Sequence, residues 1–377
     1  ISVAMDLDNL KCYWAKNNVW ITIGGNPGDP TSGATGTGAL TMDAIATSGP
    51  YTFLVGNENT TEGKWGCNFG QDTAFGQTNL SQYISVPTGY TDANGIGEFY
   101  FPPPADYLCL CEDNMPTPLI SDPSKNFNTI LYTGNGSARS LTGVGFQPDL
   151  LVVKCRTTNE SWQDFDSLRG GSGGLMYGIH WNNTAVQDTD AGSVSTLDAD
   201  GFSIAGNYSG VNGSSGQTYV AYSWKAGGAP TADNVAGAGN VPTAGSVKIN
   251  GSNSGAALAG TIPATKLSAN TSAGFSIVTY EGTEAVATVA HGLSQAPELI
   301  LFRNVDSALF WPVYNKTIDA TDYLQLNDTT ARADSADYFN DTEPTASVFS
   351  LGDKTNCNAN TVIAYCCLLY TSDAADE

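Results

Sequence analysis

The hydrophobic pattern of the chain contains one short apolar run that occurs twice. The run from Pro148 to Arg156 reads PDLLVVKCR, and the run from Pro297 to Arg303, 149 residues further on, reads PELILFR. Runs this short, rich in branched apolar side chains and bounded by turn residues, are typical of strands rather than helices. Because the apolar residues are continuous and do not alternate with polar ones, we predict strands buried on both faces.

The residues around the two runs also correspond, at offsets that change only where Gly, Ser and Asn cluster. Loops change in length more readily than strands do, so this drift is expected within a repeated domain. The matched pairs include Phe127 with Phe275, Tyr132 with Tyr280, Trp162 with Trp311, Phe165 with Tyr314, Phe202 with Phe349, and Tyr222 with Tyr365. The sequence therefore predicts one β module present in two copies.

The fold class predicted for the whole chain is all-β, since no stretch of twelve or more residues shows an amphipathic helical period. We predict a first region at residues 1–118, a first copy at 119–228 and a second copy at 275–367. Residues 229–274 are rich in Ala, Gly, Thr and Ser with few large apolar side chains. That composition predicts a flexible linker with one brief strand at Ser246–Ile249, because little apolar surface is available to offset the entropy of ordering.

The first region begins with the alternating pattern of a β-hairpin. Val3 and Met5 alternate with polar or small residues, Asp6–Asn9 has the composition of a turn, and Lys11–Lys16 is the predicted return strand. Asn17 and Asn18 predict a second turn.

Charge excludes several classes of partner. The 377 residues carry a formal net charge of −22, with 41% hydrophobic and only 14% charged residues. Nucleic-acid binding needs clustered Lys and Arg, which are absent, and an acidic surface does not dock on anionic membranes. No run is long and apolar enough for membrane insertion.

Eight cysteines and two histidines are present, and no cysteine pair has C-x-x-C spacing. We therefore predict free buried thiols in a protein assembled in a reducing cytoplasm, and no metal site. The carboxylates of Asp198 and Asp200 precede Gly201 in a pattern typical of a tight turn before a strand. Calcium binding at this turn is the weaker alternative.

Candidate catalytic groups are few. Neither His180 nor His291 follows a nucleophile elbow, so a structural or surface role is favoured for both. Two close carboxylate pairs, Asp164 with Asp166 and Asp319 with Asp322, keep glycoside hydrolysis open as an alternative. We predict that the protein is not an enzyme and has no catalytic, cofactor-binding or metal-ligating residue.

Aromatic side chains are the candidate ligand-binding residues, because flat rings stack on sugar rings and on peptide side chains. The candidates are Trp162, Trp181, Trp311 and Tyr314. Trp162 and Trp311 are equivalent in the two copies, which favours core packing as the alternative for that pair. Trp181 and Arg169 have no counterpart in the second copy, and for Arg169 we expect a structural ion pair.

Four motifs of the first region resemble, in order, the C-terminal half of a SPRY domain. They are Val3–Asp8, Trp14–Asn17, Asn68–Gln71 and the proline-rich stretch from Phe101 to Pro118. The resemblance implies a bent β-sandwich of the lectin-like jelly-roll kind that binds ligands through loops at one edge. The N-terminal strands of that family have no counterpart here, so the resemblance implies a truncated sandwich.

The repeated module is similar to an uncharacterised β module of tail-fibre and virion structural proteins of marine bacteriophages. The resemblance rests on Gly145–Leu150, Asp166–Gly170, Tyr219–Gly228 and His291–Leu293. Residues 368–377 resemble a translated sequencing adapter, which implies a non-native tail on a metagenomic fragment that is also cut at its front.

These resemblances imply a non-enzymatic bacteriophage virion protein, a tail fibre or appendage, made in the host cytoplasm and located in the virion tail. The implied partners are a host-cell surface glycan or protein and other tail proteins, and homotrimerisation is a further hypothesis. A polysaccharide depolymerase of a tail spike and a secreted lectin-like bacterial adhesin are the alternatives. No cofactor, nucleic acid or membrane insertion is expected.

Overall fold

The computed structural model describes residues 2–42, 69, 89–115, 120, 122–190, 192–214 and 216–368. The chain divides into two compact units, Ile1–Thr117 and Pro118–Glu377. None of the described helices is long and apolar enough to cross a membrane.

The first unit is built on the predicted hairpin. Its strands are β1 (Ser2–Asp6), β2 (Lys11–Lys16), β3 (Val19–Trp20), β4 (Thr22–Ile23), β5 (Asn26–Pro27) and β6 (Leu40–Thr41), with 3-10 helices at Pro30–Thr35 and Glu112–Asn114. The order β1-β2-β3, with β6 also paired to β2, forms one sheet. Asn17 and Asn18 both adopt positive φ at the predicted second turn. The Asn68–Gln71 motif lies outside the described residues except for Phe69.

The second unit contains both copies of the repeat. After a 3-10 helix at Pro123–Lys125, the first copy consists of β7 (Phe127–Thr133), β8 (Arg139–Thr142), β9 (Leu150–Cys155), β10 (Gln163–Asp166), β11 (Gly171–Ser172), β12 (Leu175–Met176), β13 (Ile179–His180), β14 (Val194–Asp198), β15 (Gly201–Ile204), α1 (Ser209–Asn212) and β16 (Thr218–Trp224). Five strands pair in the order β13-β10-β9-β16-β7, and three in the order β14-β15-β8. Residues including Phe165, Phe202 and Tyr219 fill the core between these two sheets.

The segment after the first copy and the second copy together form a larger sheet. The elements are β17 (Val247–Ile249), β18 (Ser252–Asn253), β19 (Ala264–Asn270), β20 (Phe275–Thr283), β21 (Ala287–Ala290), β22 (Leu299–Asn304), β23 (Pro312–Asn315), a 3-10 helix at Lys316–Ile318, β24 (Asp322–Gln325), β25 (Ala333–Asp334), α2 (Ala336–Phe339), β26 (Val348–Leu351), α3 (Thr355–Asn358) and β27 (Ala359–Cys367). Nine strands pair in the order β18-β17-β19-β20-β27-β22-β23-β24-β25, and β21 pairs with β26.

The two copies share one strand order, which confirms the predicted repeat and the all-β class. The order β7-β16-β9-β10-β13 of the first copy corresponds to β20-β27-β22-β23-β24 of the second. A hydroxyl-to-backbone bond is also shared: Tyr132 donates to the Val211 carbonyl at 2.7 Å, and Tyr280 donates to the Cys357 carbonyl at 2.6 Å.

The prediction that residues 229–274 form a flexible linker is wrong, because this segment contains paired strands. Its expected brief strand is β17, but β19 also lies within it, paired along its length with β20. Val247, Leu267 and Ala269 in these strands are fully buried. These few apolar side chains are sufficient because the second copy supplies the large apolar residues that cover them.

The turn from Asp198 to Gly201 joins β14 to β15, as predicted. Asp200 accepts hydrogen bonds from the Gly143 and Gly145 amides, and Asp198 accepts them from two hydroxyls, Thr196 and Ser203. The described cysteines are all free thiols.

Candidate functional site

The five-stranded sheet of the first copy packs face to face against the large sheet of the second. We call the apolar layer between them the shared interior. The first copy contributes Leu150, Val152, Leu168, Ile179 and Ala226, and the second contributes Phe275, Ile277, Val305, Trp311, Ile363 and Tyr365. The alternate residues Leu151 and Val153 of β9 face the core of the first copy instead. This packing explains why the PDLLVVKCR strand is buried on both of its faces.

A second copy arginine anchors the loop that follows β13. Arg303 is fully buried, and its Nη2 donates to the backbone carbonyl of Thr184 at 2.9 Å and also to that of Ala185. Nearby, the Trp311 indole donates to the His180 carbonyl at 3.1 Å. Because these bonds join residues more than one hundred positions apart, they fix the two copies to each other.

A charged network lies buried in the shared interior. The Arg169 guanidinium bonds Asp164 at 2.8 Å and also bonds Asp166, with side chains that are 3% exposed for Arg169 and 0% for both acids. From the second copy, the Tyr365 hydroxyl lies 2.9 Å from an oxygen of Asp164 and 3.1 Å from one of Asp166. The Trp181 indole donates to the other oxygen of Asp164 at 2.5 Å. The expected structural ion pair of Arg169 is confirmed.

Burial and charge oppose each other in this network. Burial raises the pKa of Asp164, and the Arg169 guanidinium counteracts that increase. Burial acts to lower the pKa of Arg169. The two carboxylates raise that pKa by more than burial lowers it, so the guanidinium stays charged. Burial and the same carboxylates raise the pKa of Tyr365 well above its usual value, which keeps its hydroxyl available as a donor.

A cleft of about 190 Å³ opens beside the network, and we call it the junction cleft. Its polar lining comes from both copies and from the segment between them, and includes Arg169, Gln187, Asp233, Lys266, Glu281 and Thr361. Nη1 of Arg169 and Oε1 of Gln187 are buried without a hydrogen-bond partner among the described residues. One donor and one acceptor are thus left for a bound molecule, since buried polar groups are normally satisfied.

Four other polar side chains of the junction cleft form two pairs, Lys266 with Asp233 and Thr361 with Glu281. Lys266 Nζ lies 3.2 Å from Asp233 Oδ1 and donates to the Leu168 carbonyl at 2.9 Å. Thr361 donates its hydroxyl to Glu281 at 3.1 Å. A lining of both charge signs together with hydroxyls matches a neutral ligand that carries many hydroxyl groups better than it matches a strongly charged one.

The four aromatic candidates have different positions. Trp311 lies in the shared interior and is 0% exposed, and Tyr314 lies in the core of the second copy and is 2% exposed. An external ligand cannot reach either ring in this structure, so ligand stacking at Trp311 and Tyr314 is corrected to core packing. Trp162 and Trp181 pack against the shared interior and are only half-buried. Ligand binding by these two residues remains a prediction.

His291, for which a structural or surface role was expected, is fully buried and bonded through both ring nitrogens. His291 Nδ1 accepts from the Leu293 amide at 3.1 Å, and its Nε2 lies 3.0 Å from the Thr345 carbonyl oxygen. Burial lowers the pKa of His291 to about 4, against the effect of the Thr345 bond. The neutral imidazole therefore serves to close the loop after β21.

The two carboxylate pairs considered for hydrolysis are engaged in other contacts. Asp164 and Asp166 are enclosed by Arg169, as described above. Asp322 forms an ion pair with Arg332 at 3.2 Å, and Asp319 accepts a hydrogen bond from the Thr321 amide at 3.0 Å.

Sequence reasoning missed most of the junction cleft. Gln187, Lys266, Glu281 and Thr361 come from four separate segments, and none of them belongs to a recognisable motif. Only the unmatched Arg169 was a signal, because it showed that the first copy differs from the second at that point.

Comparison with known proteins identifies one match. A family model described as a domain of unknown function (DUF7483) matches residues 122–251 and again 240–369. No curated protein and no solved structure matches the chain. Both matched ranges include residues 240–251, within the segment that joins β16 to β19.

Proposed function

The chain belongs to the DUF7483 family, whose domain it carries twice, and from this premise we propose that it is a structural, ligand-binding component of a bacteriophage virion. The role is that of a tail fibre or appendage that contacts the host-cell surface and carries out no reaction. The first unit acts in this proposal as a SPRY-like, lectin-like domain.

The observation that carries the proposal is the packing of the two copies around the shared interior. Two independent domains on a flexible tether would present their loops in many relative orientations. Here the buried Arg303, Trp311 and Tyr365 of the second copy all bond residues of the first. Such a block holds its loops in one arrangement, which lowers the entropic cost of binding a surface.

We place the ligand of this block in the junction cleft. The unpartnered Arg169 Nη1 and Gln187 Oε1 can each bond a hydroxyl group, and Glu281 and Thr361 offer further acceptors and donors at the rim. A single sugar residue of a surface glycan has the size and the hydroxyl content that this lining suits.

Glycan-array binding of the full chain, followed by affinity measurement on the best glycan, tests the proposal. Glu281→Ala is expected to weaken binding by about ten- to a hundredfold, because a hydrogen bond to a charged group contributes about 1.5–3 kcal/mol. Asp334→Ala, which removes an exposed carboxylate of the same sheet outside the cleft, is the matched control and should bind as the unaltered chain does. Equal binding by both variants would contradict the placement.

The role in the virion is tested separately. Antibodies raised against the chain should label the tails of particles from a phage that encodes it. Release of reducing sugar from the bound glycan would instead establish the depolymerase alternative, and labelling confined to the bacterial surface would establish the adhesin.

A further inference from the structure

Three potential metal ligands meet at the edge of the first copy. His180 lies on the edge strand β13, and the chain returns beside it through an isolated antiparallel bridge between Gly178 and Asp188. Side chains two positions apart on a strand point to the same face, so this bridge brings Asp188 next to His180. Asp190 follows two residues later on the returning segment.

The geometry of these residues is that of an incomplete coordination site. One ring nitrogen of His180 and one carboxylate oxygen from each of Asp188 and Asp190 all lie within 4.8 Å of one another. His180 is only 8% exposed, and its Nδ1 is buried without a hydrogen-bond partner among the described residues. A buried imidazole nitrogen without a partner is costly, because it has lost its bond to water and gained no other.

The surroundings favour a cation between the two acids. Asp188 and Asp190 place two carboxylates close to each other and to His180, and like charges this close repel unless a cation lies between them. The Tyr208 hydroxyl is hydrogen-bonded to Asp190 and so helps to orient that carboxylate. A divalent ion would neutralise both carboxylates and give a ring nitrogen of His180 a partner.

We propose that His180, Asp188 and Asp190 bind a divalent transition-metal ion of the zinc class and thereby fasten the returning segment to the edge strand β13. Imidazole nitrogen combined with carboxylate oxygen is a ligand set that Zn²⁺ accepts at four-coordinate sites. Ca²⁺ prefers six to eight oxygen ligands, and the imidazole makes it the poorer fit. Water completes the coordination.

The second copy provides a natural comparison because it lacks the ligands. The register places Gln163 opposite His180 and the equivalent Pro312 opposite Gln325. Two residues earlier in each copy, Gly178 of the first copy pairs with Asp188, and the equivalent Tyr323 of the second copy pairs with Ala333. His180 and Asp188 thus correspond to Gln325 and Ala333, so the site is specific to the first copy.

Equilibrium dialysis of the metal-free full chain against Zn²⁺ measures the stoichiometry, and Co²⁺ titration reports the ligand type from its absorption spectrum. We expect one ion per chain and a spectrum without the intense near-ultraviolet band of thiolate ligation. His180→Gln and Asp188→Ala, which introduce the residues of the second copy, should each weaken binding at least about tenfold. The second copy carries Gln and Ala at these two positions and adopts the same fold, so we expect both variants to fold.

Asp334→Ala serves as the control, because it removes an exposed acid from the equivalent strand of the second copy and should leave Zn²⁺ affinity unchanged. A thiolate band, or equal Zn²⁺ affinity of the His180→Gln variant and the unaltered chain, would overturn the proposal. So would the loss of binding only when Asp334 is removed. Circular dichroism of each metal-free variant verifies that the fold is retained.

Discussion

The two copies are alike where each module closes on itself and differ where they face one another. Buried Asn212 in the first copy and Asn358 in the second make the same three backbone bonds. By contrast, Asp164, Asp166 and Arg169 of the first copy stand where the second has Val313, Asn315 and Ile318. The comparison separates the contacts that the fold requires from those that join one copy to the other.

The largest effect is expected from removing the cation of the buried network. Arg169→Met leaves two carboxylates enclosed without a compensating charge, and should lower the free energy of unfolding by about 3–5 kcal/mol. Urea unfolding of the full chain, followed by circular dichroism, measures this change. A loss below about 1 kcal/mol would show that solvent reaches the acids.

A matched variant tests whether charge is the reason. The triple change Asp164→Val, Asp166→Asn and Arg169→Ile introduces the residues of the second copy and leaves no buried charge. We expect a smaller loss than for Arg169→Met, about 1–3 kcal/mol, because Tyr365 and Trp181 still lose an acceptor. If the triple variant is the less stable of the two, packing and not charge governs this layer.

The next effect tests what the copies share. Asn212→Ala and Asn358→Ala each remove three buried hydrogen bonds to the backbone, and each should lower the free energy of unfolding by about 2–4 kcal/mol. The two losses should be similar because the contacts are equivalent. Exposed Asn253→Ala is the control, with an expected change within about 0.5 kcal/mol. A neutral Asn358→Ala would contradict the equivalence.

The smallest effect concerns a titration that only the second copy contains. The pKa of His291 is lowered on folding, so its contribution is complete above its ordinary pKa and is lost as the pH falls toward about 4. The loss is on the order of 2–3 kcal/mol. Unfolding free energies measured from pH 7 to pH 4 should fall more steeply for the unaltered chain than for His291→Gln. Parallel curves would refute this assignment.

Much of the fold was predictable from local pattern. The repeated apolar run, its flanking aromatic residues and the first hairpin each correspond to observed strands. The two-face burial of β9 was also predictable, although its cause was not: one face covers the core of its own copy and the other covers the partner copy.

The order of residues 229–274 was not predictable from composition. A segment of small residues is usually predicted to be flexible because it buries little surface. In residues 229–274 the small residues instead allow neighbouring backbones to approach closely. A Cβ added at Gly260 would lie 2.7 Å from the Thr288 carbonyl oxygen of β21 and 3.3 Å from the Ile262 carbonyl oxygen. The junction cleft was not predictable because it is assembled from segments that carry no motif. The group of His180, Asp188 and Asp190 was missed because its spacing in the sequence matches no metal-binding motif.

The shared interior also constrains how such a gene can change. Either copy expressed alone would present Leu150, Val152 and Trp224, or Phe275, Ile277 and Ile363, as an apolar sheet face open to water, a surface that promotes aggregation. Recombination that exchanges only one copy would have to preserve the complementary face of the other. We therefore expect the two copies to be inherited and exchanged together.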